Sequence, residues 1–213
     1  MKLIPKLIIF DFDGTLADSK NVIISVFNKF ANIYKFDTIN ESNIDYLKTL
    51  SIKERLKSLK VPLSKIPILT IKFLSEYRKQ SKEINIIENL QMVLKQISQD
   101  GYDIAILSSN SIETIKEFIK RNELDFITQI YCSTKLFKKD KLIKKVLKQK
   151  NLKNTEVIYV GDERRDIIAC KDAKIQSIWV SWGLDVLDKE NMPDYIANNP
   201  NDIIEILQLN NQL

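Results

Sequence analysis

Two aspartates spaced i, i+2 at the end of a short apolar run are the residues of this 213-residue chain best suited to chemistry. They stand in Lys6-Leu7-Ile8-Ile9-Phe10-Asp11-Phe12-Asp13-Gly14-Thr15-Leu16. A continuous apolar run closed by turn chemistry reads as a buried parallel strand. Side chains two apart on a strand point the same way, so Asp11 and Asp13 are expected to leave the sheet end together. Anions held that close repel, and one stays protonated unless a cation lies between them. A hard, oxygen-seeking ion such as Mg²⁺ suits that place, and Gly14 lets the backbone turn sharply beside a ligand. The competing reading is a buried strand ended by a helix-capping aspartate.

What the chain lacks narrows the chemistry. It has no histidine, which excludes Ser-His-Asp and Cys-His catalysis and histidine metal sites. Catalysis must then rest on carboxylates, lysines and hydroxyls. Two further clusters offer them. Ser108-Ser109-Asn110-Ser111 places hydroxyls and an amide where a helix begins, which suits an anion. Gly161-Asp162-Glu163-Arg164-Arg165-Asp166 carries two carboxylates at i, i+4, on one face of a helix start. Asp162 and Asp166 taken alone could be helix caps. The chain holds four glycines, and one so poor in glycine should keep it where no other residue serves.

The elements that must position these groups follow from periodicity. After the first strand, Val22, Val26, Phe27, Phe30, Ala31 and Tyr34 recur at helical spacing behind Asp18-Ser19. Residues 41–60 read as a second helix and Ile68 to Lys79 as a third, with Pro62 and Pro67 between them. No strand pattern appears between Leu16 and Glu83. A helix over Ile87 to Gln99 precedes Gly101. Strands at 103–107, 127–132, 156–160 and 175–180 then alternate with helices at 111–121, 139–149 and 166–172. That alternation predicts an α/β fold with a doubly wound parallel sheet. Ligands of such sheets bind beyond the carboxyl ends of the strands, where all three polar clusters fall.

Asp-x-Asp-Gly-Thr-Leu at a strand end, followed by the serine and aspartate clusters in this order, resembles the haloacid dehalogenase superfamily. The likeness is greatest to its phosphoglycolate-phosphatase-like members with a helical cap. It implies a Rossmann-like core over 1–15 and 84–213 and an all-helical cap domain over 16–83. By the same resemblance Asp11 is the nucleophile and Asp13 the general acid/base. Ser108 holds the phosphoryl oxygens. Asp162 binds Mg²⁺ with Asp11 and the backbone carbonyl of Asp13, and Asp166 supports the metal shell. Ser109 and Asn110 fall to substrate binding. A carboxylate nucleophile needs no activating base, and Mg²⁺ with a lysine can neutralise the phosphoryl group it attacks. Dehalogenases of the superfamily lack the second aspartate, so Asp13 argues for phosphate transfer.

The resemblance also asks for a lysine ahead of the helix preceding Asp162. Nine lysines against Asp140 alone lie between Lys135 and Lys153. Lys141, Lys144, Lys145 and Lys148 share a face opposite Leu142, Ile143, Val146 and Leu147, so most are a solvated helix face. Lys139 sits best by spacing, with Lys138 the alternative. Three departures stand out. No proline follows the lysine, a proline-glycine is replaced around Ile86-Ile87-Glu88, and Lys174 stands where a glycine is usual after the Asp166 helix. In the helical segment, Lys53 and Arg55 lie in a polar break where a cap loop could meet substrate.

The formal charge of +5 is concentrated in the lysine-rich segment, with Phe137 its one aromatic residue, so no nucleic-acid partner is expected. No apolar run spans a membrane, and the first one is too short for a signal peptide. Cys132 and Cys170 have no metal-ligand spacing and read as core thiols of a reducing compartment. The expectation is a cytoplasmic Mg²⁺-dependent phosphatase, monomer or weak dimer, acting on a small phosphorylated metabolite such as a phosphoglycolate-like ester or a sugar phosphate. A phosphomutase and a non-catalytic binding protein of the same fold are the alternatives.

Overall fold

The computed structural model describes residues 5–133 and 139–212. Their strands are β1 (Leu7–Phe10), β2 (Ala17–Asp18), β3 (Asn85–Ile86), β4 (Asp103–Ser108), β5 (Gln129–Cys132), β6 (Val157–Gly161), β7 (Gln176–Val180) and β8 (Tyr195–Ala197). Six of them form a parallel sheet in the order β5-β4-β1-β6-β7-β8. β1 is its centre, and all four of its residues are fully buried. Phe10 stands opposite Ile106 of β4 and Val160 of β6, so the three strands end within two residues of one another. The chain runs outward from β1 in both directions, and the crevice at that switch point is where a doubly wound sheet binds ligand.

The apolar strand runs are continuous because both sheet faces are covered. Ile8 and Phe10 face a layer that includes α5 (Leu90–Gln99), α6 (Ile112–Arg121) and α9 (Pro200–Gln212). Leu7 and Ile9 face the opposite layer, α7 (Lys139–Lys150) and α8 (Arg164–Ala173). Lys141, Lys144, Lys145 and Lys148 are exposed while Ile143, Val146 and Leu147 are buried. α7 is thus an amphipathic helix with a solvated basic face.

Between β2 and β3 lie α1 (Lys20–Tyr34), α2 (Ile44–Lys48), α3 (Ile52–Ser58) and α4 (Ile66–Gln80). They enclose a third apolar cluster, Ala31, Phe36, Leu47, Leu59, Val61 and Leu69, separate from the two sheet layers. β2 and β3 pair antiparallel, Ala17 with Ile86, so both connections to the helical segment run side by side.

Several elements depart from expectation. The helix expected over 41–60 is two helices. Ser51 caps α3, its N–H donating to Glu54 Oε2 at 2.9 Å while its hydroxyl accepts from the Glu54 N–H. That Ser-x-x-Glu capping box restarts the helix after Thr49 and Leu50. α5 begins at Leu90 because Asn89 takes a left-handed φ of 64°. β2, β8 and α9 were not expected; two- and three-residue strands carry too little periodicity to read. Lys138 lies outside the described residues. Cys132 and Cys170 are both free thiols, and no helix among the described residues is long and apolar enough to cross a membrane.

Candidate active site

The adjacent ends of β1, β4 and β6 bring the three polar clusters together, and α7 adds a lysine. Asp11 directly follows β1, its N–H donating to Val160 O at 2.9 Å. One carboxylate oxygen accepts from the Phe12 N–H at 2.8 Å and the other from Lys139 Nζ at 2.6 Å. Lys139 also bonds Asp166 and stands 3.9 Å from Glu163. It is buried on the first turn of α7, the one lysine of that helix turned inward. Of the two lysines weighed, Lys139 is therefore placed against Asp11.

Asp162 is fully buried and held from two sides. Thr15 Oγ1 donates to one of its oxygens at 2.7 Å, and the Leu184 N–H donates to the other at 2.7 Å. Two glycines make room for it. A Cβ on Gly183 would lie 2.0 Å from the Asp162 Cβ, and one on Gly14, whose φ is +78°, would lie 2.4 Å from Oδ2. Asp166 is not a cap in its own right. Glu163 is the N-cap of α8, and Asp166 returns an oxygen to its N–H at 3.1 Å.

Asp13 takes a different direction from Asp11. Its carboxylate accepts from Tyr77 of α4 and from Asn110 Nδ2 at 3.2 Å. The strand ends at Phe10, so the side-chain alternation that would have paired the two aspartates does not reach Asp13. Carboxylate oxygens of Asp11, Asp162 and Asp166 lie within 4.8 Å of one another, and Asp13 is not in that group. Only the Asp13 backbone carbonyl remains as the donor that the resemblance assigned to it. Ser108 is buried at the end of β4, its hydroxyl accepting from the Asn110 N–H at 3.0 Å, and Ser109 follows it. Ser111 caps α6.

Arg55 borders a cavity that Asp13 also borders, and Lys53 does not. Arg55 donates to Leu47 O at 2.6 Å and to Asp185, tying the helical segment to the loop after β7. Lys53 is exposed at the rim of a separate cavity of 320 Å³ that Lys139, Arg164 and Arg165 also border. Conversely, sequence reasoning overlooked Thr15, Tyr77, Glu163, Arg165 and Asp185. The buried Glu163 pairs with the half-buried Arg165 beside Lys139. For those two, the run Asp162-Glu163-Arg164-Arg165-Asp166 was a signal: acids and bases this dense beside a glycine rarely all face water. Tyr77 and Asp185 had none.

Burial dominates the electrostatics. It raises the Asp11 carboxyl above its ordinary value against the opposing pull of Lys139. It raises Asp162 well above, with Glu163, Asp11 and Asp166 adding to the effect, and pushes Asp166 up to about 6. Burial alone would push the Lys139 ammonium down, but Asp11 and Asp166 reverse this and hold it above its ordinary value. Burial also raises Asp13, against the donors Tyr77 and Asn110. A carboxyl group that burial makes hold its proton more tightly is suited to serve as a proton donor. The other three carboxylates are short of positive charge. Three buried oxygen donors, with no thiolate or imidazole among them, fit a hard divalent cation such as Mg²⁺.

Comparison with known proteins agrees with this geometry. The family described as haloacid dehalogenase-like hydrolase matches residues 8–180. Phosphoglycolate phosphatase from Synechococcus elongatus is 27% identical over 207 residues, covering 93% of this chain and 95% of that protein. Pyrophosphatase PpaX from Bacillus mycoides is 23% identical, covering 94% of this chain and 95% of that one. A haloacid dehalogenase-like family hydrolase from Streptococcus pneumoniae has the same fold, with a TM-score of 0.80 at 22% identity over 96% of this chain and 99% of its own. With Asp11 and Asp13, the serine cluster and the acidic helix all inside the matched span, the chain belongs to the haloacid dehalogenase-like hydrolase family.

Proposed function

We propose that this hydrolase is a cytoplasmic, Mg²⁺-dependent phosphatase of small phosphate monoesters that works through an aspartyl-phosphate on Asp11. The observation that carries the reading is the divergence of two carboxylates only two residues apart. Asp11 lies against Lys139 at 2.6 Å among the buried acids, while Asp13 faces Tyr77 and Asn110. Environments this different divide the labour between a nucleophile and an acid/base.

Asp11 attacks phosphorus through a carboxylate oxygen, and the ester oxygen departs with the proton of Asp13. Ser108, whose hydroxyl hydrogen is left free by the bond it accepts, and the start of α6 hold the phosphoryl oxygens. Lys139 neutralises charge on the attacking carboxylate and on the group it receives. Asp13, now ionised, takes a proton from the water that opens the acyl phosphate, which frees phosphate and restores Asp11. The carboxylates of Asp11 and Asp162, the Asp13 carbonyl and the supporting Asp166 would hold Mg²⁺, which when bound supplies further positive charge at the phosphoryl oxygens. Residues 16–83 act as the cap over this site, and 1–15 with 84–213 form the core that carries it. A separate apolar cluster in the helical segment supports that division.

The two aspartates are separated by one experiment. Asp13→Asn mixed with para-nitrophenyl phosphate should give a burst of product approaching one equivalent and a slow steady state. Its mass should rise by one phosphoryl group, because this leaving group needs little protonation while water attack still needs a base. Asp11→Asn should show neither. A burst from Asp11→Asn, or none from Asp13→Asn, would overturn the assignment.

A further inference from the structure

On the Asp13 side the site opens into a cavity of 280 Å³ between the helical segment and the ends of the strands. Of the site's four aspartates, Asp13 alone borders it, together with Asn110. Across from them stand Phe27, Phe30, Leu56, Leu69 and Phe73. Phe27, Phe30, Leu56 and Phe73 are half-buried, so each keeps a face open to this space. The group that protonates a departing oxygen must face that oxygen. This cavity is therefore on the leaving-group side of the reaction.

We infer that the substrate is a phosphate monoester with an apolar leaving group, an alkyl or aryl alcohol, an inference that rests on the phosphatase reading above. The charged or hydroxylated side chains bordering the cavity other than Ser109, which follows Ser108 at the end of β4, already have partners. Arg55 donates to Leu47 O, Lys48 O and Asp185, and Arg165 is paired with Glu163. Tyr77 is bonded to Asp13, and the Thr70 hydroxyl donates to Ile66 O at 2.9 Å. A carboxylate such as that of phosphoglycolate would enter without a free cation to meet it. The hydroxyls of a sugar would lose water and find few partners. An apolar chain would gain by entering, and there is room for one. An apolar cavity of about 150 Å³ takes a benzene, and the 280 Å³ here exceeds that.

The test is a series of n-alkyl phosphates from ethyl to octyl, with Mg²⁺, read by release of inorganic phosphate. The alcohols of this series leave with nearly equal ease, so kcat/KM reports the chain's transfer into the cavity. It should rise about three- to fourfold per methylene, then level off once the space is filled. Hexyl phosphate should exceed phosphoglycolate by about tenfold or more, the value of under two buried methylenes. In Thr70→Phe, which places a ring in the cavity, the levelling should come at a shorter chain. A flat or falling series, phosphoglycolate turned over faster than hexyl phosphate, or an unchanged break in Thr70→Phe would each overturn the inference. No phosphate from any ester, para-nitrophenyl phosphate included, would instead remove the phosphatase reading and this one with it.

Discussion

Replacing Lys139 by methionine isolates the charge on which the site depends. Methionine keeps the length of the side chain and its packing near the Tyr159 ring, 5.8 Å from Nζ, and removes the ammonium. At an effective dielectric of about 20, an ion pair at the 2.6 Å separating Nζ from Asp11 is worth about 6 kcal/mol before desolvation. Desolvation of the buried ammonium returns several kcal/mol of that, and about 3–5 kcal/mol is the usual cost of removing one partner from such a pair. At about pH 8, where Asp11 and Asp166 must be ionised, the variant should lose stability on that scale. At about pH 5 the loss should shrink, because acids without their cation bind protons more readily. In kcat/KM for para-nitrophenyl phosphate it should lose about a hundredfold or more, some 3 kcal/mol of transition-state stabilisation. Lys144→Met and Lys148→Met, on the exposed face of α7, are the controls and should be near neutral. Thermal melts at both pH values and steady-state kinetics read all of this. A Lys139→Met enzyme that keeps a third of its activity, or whose stability falls equally at both pH values, would refute the electrostatic account.

The remaining predictions concern neighbouring groups. Tyr77→Phe removes the hydroxyl that donates to Asp13 and should lower kcat about tenfold, the worth of one hydrogen bond to a charged group; an unchanged kcat would show that Asp13 needs no such partner. Burial raises Asp166 to about 6, so without metal its stabilising contribution is present in acid and lost as pH rises through that value. Mg²⁺ should therefore raise the melting temperature more above this pH than below it, and a rise independent of pH would contradict that. Lys174 ends α8 with a left-handed φ of 56°. Lys174→Gly relieves about 1–2 kcal/mol of backbone strain at about 0.5–1 kcal/mol in chain entropy, so the melting temperature should rise by about 1–4 °C; a fall would refute it.

The parts of the fold that were legible are those whose residues repeat often enough to show a period. α1, α6, α7 and the strands around β1 each carry three or more buried residues, and each lies within a few residues of where periodicity put it. β8 has three residues, and a period of two cannot be read from so few. The break between α2 and α3 was written in Ser51 and Glu54, and apolar spacing across 41–60 masked it. Local capping chemistry decided against a continuous pattern there.

The site was legible where glycine and aspartate adjoin, and the scarcity of glycine explains why. Gly14 and Gly101 hold left-handed backbone, but so do Lys35, Lys60, Asn89, Glu123, Asn151 and Lys174, so positive φ alone does not set the glycines apart. Gly14 and Gly183 are kept where a Cβ would strike the side chain of Asp162. At those two positions glycine marks steric crowding around one carboxylate, a contact between segments far apart in sequence. What spacing could not report was the partner each group would find. Arg55 had the polar surroundings of a substrate contact, yet its counter-ion is Asp185, 130 positions away. Tyr77 lay 64 positions from Asp13 inside an amphipathic helix, where an aromatic residue reads as core. It is core, at 1% exposure. Its ring packs with the apolar residues while its hydroxyl reaches the acid, so the same side chain that anchors the helical segment also sets the direction of Asp13.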